Sequence, residues 1–160
     1  MFMKKYFPLF IDISRKRILV VGGGEIAYRR IKSLAGFSPF IRVVTKQADE
    51  KLKQLSYNRL EIFERALNKR DLENIDFILA ATDNVKYNKH IGYEARKRNI
   101  AFNDCSDKTN CDFYFPGLVC KDELVIGVCA SGMNHRLAAG AAEYIRKNIE
   151  AIFSKGKKNV

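Results

Sequence analysis

Arg17-Ile18-Leu19-Val20-Val21-Gly22-Gly23-Gly24-Glu25-Ile26-Ala27 is the stretch that decides the fold. RILVV is nearly continuous apolar sequence running straight into three glycines, as expected for a parallel strand buried on both faces. Gly22, Gly24 and Ala27 then fit the pattern G-x-G-x-x-A, and the residues from Glu25 to Leu34 predict a helix with Ile26, Ile31 and Leu34 able to face a sheet. Gly22 permits a tight turn, Gly24 lets backbone approach a pyrophosphate, and Ala27 allows the helix to pack closely on its strand. The N–H groups of Gly24, Glu25 and Ile26 would meet phosphates with the positive end of the helix dipole. A merely structural turn would explain the glycines but not their place between a buried strand and a helix.

The same grammar repeats downstream. Phe40 to Thr45 reads as a second strand, Ala48 to Ser56 as a polar helix, and Leu60 to Arg65 as a third strand. Phe77 to Ala81 (FILAA) repeats the buried-strand signature, followed by a helix from Val85 to Arg98 and a brief strand from Ala101 to Asn103. Alternating strands and helices imply an α/β domain with a Rossmann-type parallel sheet. After Asp107 the pattern changes. Phe113 to Val119 and Leu124 to Ala130, separated by Cys120-Lys121-Asp122-Glu123, predict a β-hairpin. The final helix is expected from Asn134 to Phe153, with Leu137, Ala141, Ile145, Ile149 and Ile152 or Phe153 at helical spacing. The expected division is therefore a dinucleotide-binding domain over residues 1–111 and a hairpin-plus-helix section over 112–160. That section is too small to bury its own apolar surface, so it should pack on the first domain or on a second subunit.

Composition narrows the function. A chain of 160 residues with 47% hydrophobic and 29% charged residues is in the ordinary globular range. The basic opening Met1 to Lys5 is followed by an apolar stretch broken by Pro8, Asp12 and Arg15, too short and polar for an export signal. No stretch reaches a membrane span. Cys105, Cys111, Cys120 and Cys129 lack close metal or redox spacing, so reduced thiols in the cytoplasm and no resident metal are expected. The net charge of +11 should attract polyanions, with part of the excess in the tail Lys155-Gly156-Lys157-Lys158. The remaining basic residues lack interleaved aromatics for base stacking, which argues against nucleic acid.

Ligand-facing candidates follow from the sheet's C-terminal edge, where such folds bind. The end of the second strand carries Thr45-Lys46-Gln47 with no acid for ribose hydroxyls, so spacing alone leaves NAD and NADP open. Thr82 and Asp83 after the fourth strand read equally as a helix cap and as a cofactor contact. Asp104 and Asp107 leave the fifth strand at the same edge, and they either carry a proton or only shape the turn. His90 reads as a solvated side chain, and His135 equally as a carboxylate ligand or a cap.

Pro8-Leu9-Phe10-Ile11-Asp12, the glycine stretch with Arg29, Ala80-Ala81-Thr82-Asp83, and Cys111-Asp112-Phe113-Tyr114-Phe115-Pro116 together resemble the precorrin-2 dehydrogenase / sirohydrochlorin ferrochelatase family, the N-terminal part of siroheme synthase. The resemblance runs from about Phe7 to Ile149. It implies NAD-dependent oxidation of precorrin-2 to sirohydrochlorin and, in bifunctional members, insertion of ferrous iron. It also implies a homodimer built by the section after the Rossmann domain. Cofactor contacts are implied at Gly22, Gly24, Glu25, Ile26, Thr45, Lys46, Gln47, Thr82 and Asp83, and substrate contacts at Ser131, Asn134 and His135. The family's catalytic aspartate falls on Ser106 in an ungapped alignment, which leaves Asp107, one residue on, and Asp104 as the candidate bases. Precorrin-2 is an octacarboxylate, so a basic protein acquires a partner without nucleic acid. A competing reading, a non-enzymatic NAD-sensing Rossmann module, accounts for Gly22 to Ala27 but leaves Cys111 to Pro116 without a reason.

Overall fold

The computed structural model describes residues 6–156, apart from the side chains of residues 152, 153, 155 and 156. The opening Met1 to Lys5 and the tail from Lys157 thus fall outside the described residues, as do the side chains of Ile152, Phe153 and Lys155. The chain divides into two compact units, one of Phe10–Phe113 and the other of Met1–Leu9 with Tyr114–Val160.

In the first unit, β1 (Arg17–Val21), β2 (Phe40–Thr45), β3 (Leu60–Glu64), β4 (Phe77–Ala80) and β5 (Ala101–Asp104) form one parallel sheet in the order β3-β2-β1-β4-β5. β1 lies at the centre, and its Leu19 and Val20 are completely buried, which is why its sequence is apolar on both faces. The helices α1 (Glu25–Ala35), α2 (Glu50–Lys53) and α3 (Val85–Arg96) connect the strands. Right-handed crossovers put α1 and α2 on one face and α3 on the other. On the α3 face, alternate strand residues Leu19, Val21, Ile78, Ala80 and Phe102 pack with Ile91 and Ala95. Each large side chain fully buried there contributes about 1.5–3 kcal/mol.

Several expected boundaries move. α1 buries Ala27, Ile31 and Leu34, while Ile26 is 49% exposed. The i, i+4, i+7 stripe set by Ala27 turns the adjacent Ile26 about 100° away from the buried face. The polar helix expected from Ala48 shrinks to α2, because Asp49 caps it by accepting the Lys51 N–H. Two 3₁₀ turns, Lys69–Leu72 and Lys108–Asn110, were not expected from the sequence pattern. The first is closed by a reciprocal box between Asn68 and Asp71, and Asp71 also takes both Arg65 nitrogens at 2.7 Å.

In the second unit, β6 (Gly117–Lys121) pairs antiparallel with β7 (Leu124–Val128). The hairpin starts later than Phe113, since Pro116 offers no N–H to a ladder. Cys120 and Lys121 belong to the strand, and only Asp122-Glu123 turn, with Asp122 at φ +49°. α4 (His135–Gly156) lays Ala142, buried, on this hairpin, and Arg146 donates to the Leu118 carbonyl. Of the expected stripe Ala141, Ile145 and Ile149 are half-buried, whereas Leu137 is 63% exposed and the first turns bury Ala142 and half-bury Ala138 instead; Tyr144, 69% exposed, lies off the stripe.

Candidate dinucleotide site

The loops after β1, β2, β4 and β5 all leave the C-terminal edge of the sheet. In this strand order the direction of winding reverses between β1 and β4, which opens a crevice beyond those two strand ends.

The glycine loop after β1 divides its work between packing and opening. Gly22 has φ +116°, and a Cβ there would lie 2.3 Å from the Ala81 carbonyl oxygen. Its N–H donates to Val44 and the Ala81 N–H donates to Val21, so the loop is laced to both neighbouring strands. A Cβ at Gly23 would strike the Gln47 carbonyl oxygen at 2.6 Å and Thr45 Oγ1 at 2.8 Å. Gly24 is the opposite case. Nothing lies within 4 Å of where its Cβ would be, it is the N-cap of α1, and no side chain caps that helix start. Orphan N–H groups facing open space, with no Cβ in the way, fit a pyrophosphate.

The second loop is turned by Thr45, whose hydroxyl donates to the Gln47 carbonyl at 2.8 Å and accepts the Gln47 N–H, leaving Lys46 and Gln47 exposed. Among the described residues, the acids near this strand end are engaged. Glu64, at the end of β3, accepts the Ala48 N–H at 2.8 Å, and this bond, with Lys53, holds its carboxyl below the usual range despite some desolvation. Glu25 pairs with Lys51 at 3.2 Å.

In the third loop the cap of α3 is Asn84, which accepts the Tyr87 N–H at 2.9 Å; neither Thr82 nor Asp83 is the cap. Asn84 wins because it stands immediately before the first helical residue, where its carbonyl reaches the N3 amide. The Thr82 hydroxyl instead turns inward and donates to Asn88 Oδ1 at 2.5 Å. Asp83 is exposed.

The fourth loop separates the two candidate acids. Asp104 is only 3% exposed, and its Oδ1 accepts from the Ser106 N–H (2.9 Å), the Ser106 hydroxyl (2.6 Å) and the Asp107 N–H (3.2 Å). Its Oδ2 accepts from Asn110 Nδ2 at 2.9 Å. Asp107 is more open. Its Oδ1 accepts from the Thr109 hydroxyl at 2.6 Å and the Thr109 N–H at 2.9 Å, and its Oδ2 faces Lys89 at 3.5 Å. The Thr109 bonds, aided by Lys89, hold its carboxyl below the ordinary Asp value. Cys105 and Cys111 line the same loop with thiols pushed up by burial.

Sequence reasoning did not single out Asn88 or Asn110. Asn88, completely buried, donates from Nδ2 to the Thr82 carbonyl (2.9 Å) and to Ser106 Oγ (3.0 Å). The available signal was a polar residue on the apolar stripe, three and seven positions before Ile91 and Ala95. Ser131, Asn134 and His135 belong to the second unit. Ser131 sits at φ +52°, Asn134 accepts the Leu137 N–H at 2.9 Å as the cap of α4, and His135 is exposed. Among the described residues, no three His, Cys, Asp or Glu side chains group to hold a metal ion, and no helix is long and apolar enough to cross a membrane.

A five-stranded parallel sheet with an open, uncapped glycine helix start at its winding reversal defines a dinucleotide-binding Rossmann protein. Residues 9–117 match the family described as "Putative NAD(P)-binding", and the chain belongs to that family. It is 37% identical over 143 residues to the "Probable multifunctional siroheme biosynthesis protein HemA" of Ruminiclostridium josui, spanning 88% of this chain and 28% of that protein. It is 32% identical over 148 residues to "Siroheme synthase 1" of Serratia proteamaculans, spanning 92% of this chain and 30% of the other. The chain thus spans less than a third of the length of these curated relatives. Among solved structures it resembles "SirC, precorrin-2 dehydrogenase", with a TM-score of 0.76, 24% identity, and coverage of 89% of this chain and 71% of that one. That likeness is one of fold.

Proposed function

We propose that this chain is an NAD-dependent precorrin-2 dehydrogenase that forms sirohydrochlorin in siroheme biosynthesis. One observation carries the reading: the open helix start at Gly24 and the acid loop from Asp104 to Asp107 leave the same edge of one sheet. Gly22 and Gly24, with the N–H groups of Glu25 and Ile26, hold the pyrophosphate; Thr45, Lys46 and Gln47 border the adenosine end, and Thr82 and Asp83 the nicotinamide end. NAD, when bound, accepts the hydride. Asp107 takes the proton that leaves with it. It is ionised at neutral pH, as a base must be, whereas Asp104 has both oxygens engaged inside the loop. Ser131, Asn134 and His135 bind substrate carboxylates. The hairpin and α4 build a homodimer in the cytoplasm, and ferrous iron is a second substrate, the two pyrrole protons that sirohydrochlorin gives up on insertion passing one at a time through the same carboxylate to solvent.

The test is direct. Purified protein mixed with precorrin-2 and NAD should develop the absorption of NADH and sirohydrochlorin together, with NADP a much poorer substitute. A protein that binds NAD but produces neither chromophore is instead the NAD-sensing module. Asp107→Ala should bind NAD normally and lose turnover by about 10²–10⁴-fold. Full activity in that variant removes Asp107 from the chemistry.

A further inference from the structure

Two loops frame the crevice from the β4 and β5 side, and one buried side chain joins them. Asn88 Nδ2 donates to the Thr82 carbonyl and to Ser106 Oγ, while its Oδ1 accepts from the Thr82 hydroxyl. Both amide protons are therefore engaged, one on each loop. From Ser106 the chain of bonds continues through its hydroxyl to Asp104 Oδ1, and Asp104 Oδ1 in turn accepts the N–H of Asp107. Asp104 Oδ2 is closed by Asn110, whose Oδ1 is held by Arg96 at 2.9 Å. The path Thr82–Asn88–Ser106–Asp104–Asp107 is continuous, each link 2.5–3.2 Å.

A buried, fully bonded amide is rigid, because a rotated side chain would leave polar groups unpaired at about 1–3 kcal/mol each. A shift of the Thr82 loop therefore cannot leave Asn88, Ser106 and the acid loop where they were. We propose that Asn88 is a positioning residue that locks the β4 loop to the β5 loop, so that a dinucleotide seated against Thr82 orders the segment presenting Asp107. The proposal rests on the dinucleotide reading above, and it adds a coupling between cofactor and acid that neither loop has alone. Ser106 is the second half of the link. Its exposure makes it a mild place to cut the path from the other side.

The experiment is amide hydrogen exchange by mass spectrometry on the full chain, with and without saturating NADH, in wild type, Asn88→Ala and Ser106→Ala. In wild type, NADH should slow exchange in peptides covering 22–27 and also 103–111. In both variants the first protection should persist, while that over 103–111 should fall at least several-fold. In turnover, both variants should lower kcat, normalised to the folded fraction measured by circular dichroism, about tenfold or more with KM for NAD changed less than about threefold; a mere loss of stability would leave the normalised kcat unchanged. Should Asn88→Ala fail to fold, Ser106→Ala decides alone. Undiminished protection over 103–111 in a folded variant overturns the proposal, as does wild-type protection confined to 22–27. Absence of protection at both segments in wild type overturns the dinucleotide reading itself, and the proposal with it.

Discussion

Gly22 and Gly24 belong to one motif, yet replacing each should damage a different property. At Gly22 a side chain meets two obstacles. The positive φ costs an L-residue roughly 1–2 kcal/mol, and relieving a Cβ placed 2.3 Å from the Ala81 carbonyl oxygen means separating β1 from β4, an overpacking cost of roughly 1–3 kcal/mol. Gly22→Ala should therefore lose about 2–5 kcal/mol, or a fall in Tm of roughly 8–20 °C for a unit of this size. At Gly24 the backbone is extended and the space is open, so Gly24→Val costs only a change of N-cap, about 0.5–1 kcal/mol and about 4 °C or less. What it fills is the space the pyrophosphate needs. Losing one charge-assisted bond at about 1.5–3 kcal/mol weakens NADH binding roughly 10–150-fold. Thermal melts and calorimetric NADH titrations on both variants give the comparison. A stable Gly24→Val protein with undiminished NADH affinity would remove the motif from the site, and an unshifted Tm for Gly22→Ala would refute the steric reasoning.

Asp104→Asn should lower stability by about 2–4 kcal/mol, because a buried carboxylate with four donors loses its best acceptor, whereas Asp107→Asn should melt within about 3 °C of wild type. Lost activity in an Asp104 variant with a depressed Tm then reports on the loop; an Asp104→Asn protein as stable as wild type contradicts the structural role. The Arg65 pair holds the Asp71 carboxyl below its usual value, so its stabilisation is present above the unfolded Asp pKa and disappears as pH falls through the lower folded one. Asp71→Asn should accordingly cost about 1–3 kcal/mol at pH 7 and converge with wild type in acid, as denaturant titrations at several pH values would show. The exposed Leu137 and Tyr144 on α4 should lie in the homodimer interface, so Leu137→Arg with Tyr144→Glu should sediment as a monomer at micromolar concentration while wild type sediments as a dimer.

Much of the dinucleotide unit was legible because it is local. The boundaries of β1 and β2 could be read directly, since a central parallel strand buried on both faces has to be apolar along its length. The glycine pattern placed the helix start. The hairpin was legible as a hairpin, but its first strand was read four residues early because apolar Phe113 to Phe115 look like strand until Pro116 removes the ladder donor. Among the candidate acids, sequence reduced the choice to Asp104 and Asp107 and favoured Asp107 only by its nearness to the family's position, because both are acids in one polar loop.

By itself the sequence determined the parallel sheet, the glycine turn before α1 and the edge at which sheets of this kind bind ligands, all of which follow from hydrophobic periodicity and from the absence of a Cβ. Only the tertiary structure decided that Asp104 is buried and saturated, that Asp107 stays accessible, and that Asn88 reaches across from α3 to hold two loops at once. Asn88 meets Ser106 across 18 residues of chain, while the donors to Asp104 come from within six residues of it and converge only once the loop is folded against α3. Hydrogen-bond partners of that kind are selected by the three-dimensional packing of β4, α3 and β5, and no periodicity along one segment encodes them.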